Sequence, residues 1–127
     1  MTILTIGYTE PDAQARIDEF LADENAALVD IRLQPRSHWQ PAFNKSALEA
    51  RYPAQYVHVE ALGNVNYKDR ARGIDLLDAK RGISQLVYLI AQGYPVMLMC
   101  ACKDYERCHR KVVYELIMSE LDKAVKA

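Results

Sequence analysis

The sequence predicts a single α/β domain, a mainly parallel sheet of about four strands with flanking helices. Three observations lead there. Short β-branched or apolar runs near residues 2–6, 26–33, 56–59 and 96–99 alternate with stretches whose apolar residues recur at helical spacing. Such alternation builds parallel sheets through right-handed crossovers. At 127 residues, 50% of them hydrophobic, the chain has material for one core and not for two. Nor does any internal repeat, low-complexity tract or heptad series suggest another architecture.

Each element has its own signal. Thr2 to Ile6 is a β-branched run ending at Gly7, and Thr9-Glu-Pro-Asp12 has the form of a capping box with proline in the first turn. A helix follows over about residues 11–23, with Ile17, Phe20 and Leu21 on one face and the acids on the other. Ala26 to Leu33 is the second strand, apolar almost throughout until Asp30 and Arg32, as suits a strand buried on both faces whose far end turns polar. From Gln34 to Arg51, two prolines with Ser37, His38, Trp39 and Asn44 describe a long loop that closes with a short helix from about Lys45. Tyr56 to Val59 alternates as a third strand, and Asn64 to Gly82 reads as irregular or partly helical. Ile83, Leu86, Val87 and Ile90 have helical spacing, stopped by Gly93 and Pro95. Val96 to Met99 is the fourth strand, and Val112, Val113, Leu116, Ile117 and Leu121 mark a last amphipathic helix. In a parallel sheet the carboxyl ends of the strands share one rim, so Gly7-Tyr8, Asp30-Ile31-Arg32, His58-Val59-Glu60 and Cys100 converge there.

Composition narrows the function classes. No stretch approaches the roughly 20 apolar residues of a membrane span, and the N-terminal segment lacks the basic region and cleavage site of a signal peptide. A cytoplasmic protein without a membrane partner is expected. Three cysteines within nine positions do not make a disulfide framework, and in a reducing compartment they are free thiols, metal ligands or packing groups. The net charge of −1 hides an asymmetry, because residues 1–30 carry seven acids against Arg16 alone while residues 31–58 carry four bases against Glu49. That basic stretch suits a phosphate or carboxylate; nucleic acid is a possible partner that the net charge does not support, since nonspecific duplex binding usually needs a broad basic face.

The chemistry concentrates between Val96 and Lys111, where an apolar run delivers all three cysteines and the triplet Cys108-His109-Arg110 into one loop. If the last helix starts near Cys108, its free N–H groups and positive dipole end face the rim, with Arg107 or Arg110 able to grip an anion and Arg32 and Arg36 approaching from the neighbouring loop. The plainer reading pairs Arg110 with Asp30 to tie the rim together. Asp30 is a candidate general base or a structural partner, and His109 is the better candidate acid or base than His58, which sits on an apolar strand as a core histidine. Cys100 or Cys108, near a helix start and basic groups, is a candidate nucleophile, while a buried cysteine at a strand end is commonly a small hydrophobe. Cys102 and Arg107 have four residues between them, one fewer than a phosphatase-like or rhodanese-like loop requires. Cys100, Cys102, Cys108 and His109 have the count and chemistry for tetrahedral zinc. Paired Cys-x-x-Cys knuckles are missing, however, and adjacent Cys108 and His109 on a helix start point in different directions, so no metal ligand set is assigned. Tyr8 is the candidate rim hydrogen-bond donor, Ser37 and Asn44 are candidate ligand contacts, and His38, Trp39 and Phe43 are either a stacking platform or a lid packed on the core.

Several of these motifs, in this order, resemble the DUF488 family of small bacterial and archaeal proteins of uncharacterised function. The resemblance rests on Thr5-Ile-Gly-Tyr8, Leu28-Val-Asp-Ile-Arg32, Pro35-Arg-Ser37, Pro41-Ala-Phe-Asn44, the stretch from Tyr56 to Leu62-Gly63, and Met99-Cys100 with Cys108-His-Arg110, covering most of the chain. It implies an α/β domain with a shared polar site and no established reaction. It also implies an acidic residue two positions after the strand-end cysteine, where this chain has Cys102. The reading is therefore a small enzyme, or former enzyme, that binds an unidentified anionic, phosphate- or nucleotide-like ligand at the rim, with no cofactor identified. The alternatives are a non-catalytic binding module in which the same residues form a structural network, and a cysteine-dependent sulfur, redox or zinc site.

Overall fold

The structure, a computed structural model that describes residues 1–102 and 104–126, is the predicted α/β domain. Strands β1 (Ile3–Gly7), β2 (Ala27–Asp30), β3 (Tyr56–His58) and β4 (Val96–Cys100) form one all-parallel sheet in the order β1-β4-β2-β3. Helices α1 (Ala13–Phe20), α2 (Lys45–Arg51), α3 (Ala79–Ala91) and α4 (His109–Lys126) flank it. The central strand β4 is buried along its whole length, as expected of a strand covered on both faces.

Side-chain alternation divides the core in two. Met97 and Met99 of β4, with Leu28 of β2 and Ile6 of β1, pack against Ala13 and Ile17 of α1 and Leu48 of α2. Val96, Leu98 and Cys100, with Val29, pack against Ile83, Leu86 and Ile90 of α3 and Val113 and Ile117 of α4. The chain thus leaves β1 and β2 toward one face of the sheet and β3 and β4 toward the other. Because β4 lies between β1 and β2, loops leaving neighbouring strands part to opposite faces there, which opens a crevice at the carboxyl ends of the strands.

Three elements are shorter than the sequence suggests, among them β3, expected over Tyr56 to Val59, which ends at His58. The expected Ala26–Leu33 strand stops at Asp30, because the Asp30 side chain takes the Arg32 N–H (Oδ1, 3.1 Å) and turns the backbone out of the ladder. The helix expected from about residue 11 begins at Ala13, and the capping box is not built: Asp12 is the N-cap and makes no side-chain cap bond. Glu10 instead accepts the Gly7 N–H (2.7 Å), while Thr9 Oγ1 donates to the Ala101 carbonyl (3.0 Å). Both polar side chains serve the rim. Asn64 to Gly82 contains a short 3-10 turn at Arg70–Arg72, an isolated bridge between Asn64 and Leu76, and the start of α3. Beyond α3, Gly93 supplies the left-handed φ of +93° that ends it.

Leu98, with no solvent exposure at the centre of β4, sets the scale of core packing. Leu98→Ala is expected to lower the unfolding free energy by about 2–5 kcal/mol, through lost transfer energy plus a cavity. Urea unfolding followed by circular dichroism measures this; a loss below about 1 kcal/mol would mean that the two halves of the core can close over the gap.

Candidate functional site

The rim is organised by a buried ion pair. Arg32 grips Asp30 with two parallel bonds, Nε to Oδ1 at 2.8 Å and Nη2 to Oδ2 at 2.7 Å, and Tyr56 Oη donates to Oδ2 at 2.6 Å. Arg32 Nη2 also donates to the Phe43 carbonyl at 2.6 Å, and the guanidinium lies 5.1 Å from the Tyr8 ring centroid, with Tyr8 stacked on Phe43. Burial weakens the Arg32 charge, but the hydrogen bonds and field of Asp30 more than restore it. Burial, then Asp30, pushes the Tyr56 hydroxyl well above its usual pKa, so it stays a donor. Nη1 of Arg32 is buried with no partner among the described residues. Beyond the shortened strand, the Ile31 and Arg32 carbonyls meet histidines from the neighbouring elements: His109 Nε2 lies 2.8 Å from the first and His58 Nε2 2.8 Å from the second. A carbonyl only accepts, so both rings carry hydrogen on Nε2.

Beside this pair stands the cysteine cluster. A 3-10 turn at Tyr105–Arg107 precedes α4 and brings Cys108 back beneath the end of β4, where its Sγ is 2.7 Å from Cys100 Sγ and 3.9 Å from His109 Nδ1. The Arg110 N–H points at Cys108 Sγ (3.4 Å), so the sulfur caps the helix. Hydrogen bonds from Cys100 and Cys102 lower the Cys108 pKa strongly; burial opposes them, while His109 and the Arg110 N–H assist. Burial, followed by the same thiol contacts, raises Cys100 well above the ordinary thiol range. Burial alone would lower His109, but hydrogen bonding to Cys102, Cys108 and the Ile31 carbonyl pushes it up to about 9. The expectation that Cys108 and His109 diverge is therefore corrected: the turn before the helix lets both face Cys100.

Between the loops that follow β2 and β4 lies a cavity of about 190 Å³. Arg32, Gln34 and Arg36 line it from the loop after β2, Cys102, Arg107 and His109 from the loop after β4 and the start of α4, and Asn64, Tyr67, Gly73 and Ile74 from the segment before α3; no carboxylate is among these described residues. Of the residues predicted to bind a ligand, Arg32 and Arg36 reach this cavity, while Tyr8, Ser37, Asn44 and Arg110 hold its surroundings. Tyr8 is the platform beneath Arg32. Ser37 Oγ accepts the Gln40 N–H, and Asn44 Oδ1 accepts the Ser37 N–H instead of capping α2. Arg110 is buried and does not pair with Asp30, contrary to the plainer reading; Asp30 is taken by Arg32, and Arg110 faces Glu10 (3.9 Å) and the Cys102 carbonyl (3.2 Å). Gly7 makes that contact possible, since a Cβ there would stand 1.9 Å from the Cys102 oxygen. Of the candidate catalytic residues, Cys100, Cys108 and His109 are together and Asp30 lies on the opposite face of the sheet. Phe43 is in the core, and Trp39 is 88% exposed, edge-on to His38. Asn64 and Tyr67 are not among the sequence candidates: contacts distant in sequence hold their segment, with Gly63 against Leu33, Val65 and Leu77 bonded to Asp75 and Gly63, and Asn64 bridged to Leu76.

The fold and site define a small parallel α/β domain with an arginine-lined cavity at its strand ends. The family described as a domain of unknown function, DUF488, matches residues 13–117, and the chain belongs to that family. Neither the curated proteins nor the solved structures contain a match to it.

Removing one member of the buried pair strands the other. Asp30→Ala is expected to cost about 3–5 kcal/mol, whereas Asp30→Leu combined with Arg32→Met should cost clearly less, since a buried pair can be replaced by apolar groups. Equal losses in urea unfolding would show that the clamp contributes shape and not charge compensation.

Proposed function

We propose that this protein binds a small anion, a single phosphate or the phosphate or carboxylate group of a small metabolite, in the cavity between the β2 and β4 loops. The observation that carries this reading is a cavity whose described lining residues include three arginines and no carboxylate. Arg32 brings a buried Nη1 with no partner, and Arg36 is exposed and makes no ion pair among the described residues. Arg107 is tied only loosely, 3.6 Å from Asp104 on the same turn. Guanidinium groups suit phosphate and carboxylate through paired donors. The size argues for one anionic group inside the cavity, since pockets that enclose drug-sized ligands run to about 300–1,000 Å³.

Asp30 acts in this reading as the residue that aims Arg32, because its oxygens are already occupied. Titration calorimetry with inorganic phosphate and pyrophosphate tests the proposal. Arg36→Ala is expected to weaken binding about tenfold to a hundredfold, the value of about 1.5–3 kcal/mol for a hydrogen bond to a charged group, while stability changes by no more than about 0.5 kcal/mol. Absence of binding at millimolar anion, or an Arg36→Ala protein with unchanged affinity, would overturn it.

A further inference from the structure

The structure assigns a second site beside the cavity: we propose that Cys100, Cys102, Cys108 and His109 form a tetrahedral centre for a soft divalent ion, zinc above all. The four ligand atoms lie within 4.8 Å of one another. Two tetrahedral thiolates at about 2.3 Å from zinc sit about 3.8 Å apart. Every pair is thus within about 1 Å of that spacing, and the ion would part the Cys100 and Cys108 sulfurs from their 2.7 Å contact. Three thiolates and an imidazole make a closed structural set, which excludes the hard ions that favour oxygen.

What surrounds the cluster argues more strongly than the count. His109 donates from Nε2 to the Ile31 carbonyl, which aims Nδ1 at the sulfurs, where a bound ion would take the place of the ring's second proton. A metal-binding histidine usually has its other nitrogen held in this way. The Arg110 N–H points at Cys108 Sγ, and the Arg110 side chain holds the Cys102 carbonyl, so one residue supports two of the ligands. Its guanidinium also offsets the single negative charge of a zinc ion bound by three thiolates. Cys102, half-buried where the core meets the cavity wall, completes the set from outside the strand and the helix start that carry the other ligands. The ion would join the end of β4 to the start of α4, and it requires nothing of the anion reading.

The test uses the full chain, without a histidine tag, kept anaerobic with a phosphine reductant. Elemental analysis after incubation with zinc and gel filtration should give about one zinc per chain, and cobalt should give a thiolate charge-transfer band with tetrahedral d–d bands. Cys102→Ser, chosen because the position is not fully buried, should fold, weaken zinc binding at least about tenfold and reduce the charge-transfer intensity by about one third. Stripping the ion from the wild type should lower its melting temperature and leave that of Cys102→Ser nearly unchanged. Cobalt titration of the wild-type protein without a charge-transfer band, or equal zinc affinity in wild type and Cys102→Ser, would overturn the assignment.

Discussion

The bidentate pair between Asp30 and Arg32 is the contact on which the rim depends. Burying two charges costs several kcal/mol each unless their hydrogen bonds are complete, and Asp30 meets that condition with the Arg32 backbone N–H, two guanidinium bonds and the Tyr56 hydroxyl. In forming them the carboxylate ends β2, which turns the Ile31 and Arg32 carbonyls toward His109 and His58. The same guanidinium holds the Phe43 carbonyl and covers Tyr8. One ion pair therefore places a histidine on each side of β2 and anchors the long loop, while Nη1 stays buried with no partner among the described residues. Its contribution is to specificity of arrangement more than to stability, because apolar groups of equal volume could fill the same space.

Topology does the rest. A central strand whose neighbours send their loops to the other face leaves a gap at its carboxyl end, and β4 is that strand here. The arginine cavity occupies the gap, and Cys102 and His109 belong both to its wall and to the sulfur cluster. Positive charge on one side of this wall and sulfur on the other give two chemically separate environments a few ångströms apart. Gly7 permits the arrangement, since the 101–102 segment lies against β1 where no side chain would fit.

Elements with a strong local signal were legible in the sequence. The four strands and four helices, and the convergence of Gly7, Asp30, His58 and Cys100 at one rim, follow from alternation and breakers. Pairings were less legible. Asp30 and Arg32 are two residues apart, the spacing that puts strand side chains on one face, so their pairing is readable; the partner of Arg110, Glu10, lies a hundred residues away in the chain, and no local pattern links the two. Thr9 and Glu10 have the residue types of a helix cap, and only the approach of the Ala101 loop diverts them. Cys108 and His109 looked divergent on a regular helix, because the 3-10 turn that rotates Cys108 inward has little sequence signature. Tyr67 and Asn64 line the cavity on a segment held by contacts distant in sequence, Gly63 against Leu33 and Asn64 bridged to Leu76, which no local pattern encodes.

The single tryptophan, Trp39, stands on the loop that Asn44 and Ser37 hold shut, 88% exposed and edge-on to His38. Its indole is already in water in the native protein, so its emission starts close to that of the unfolded chain and reports poorly on loss of the core. The same position, on the loop that carries Arg36, makes it a local optical probe of the rim, with the imidazole of His38 as a neighbour that can alter its brightness. A change in indole emission without a change in far-ultraviolet dichroism would record movement of this loop while the sheet stays intact.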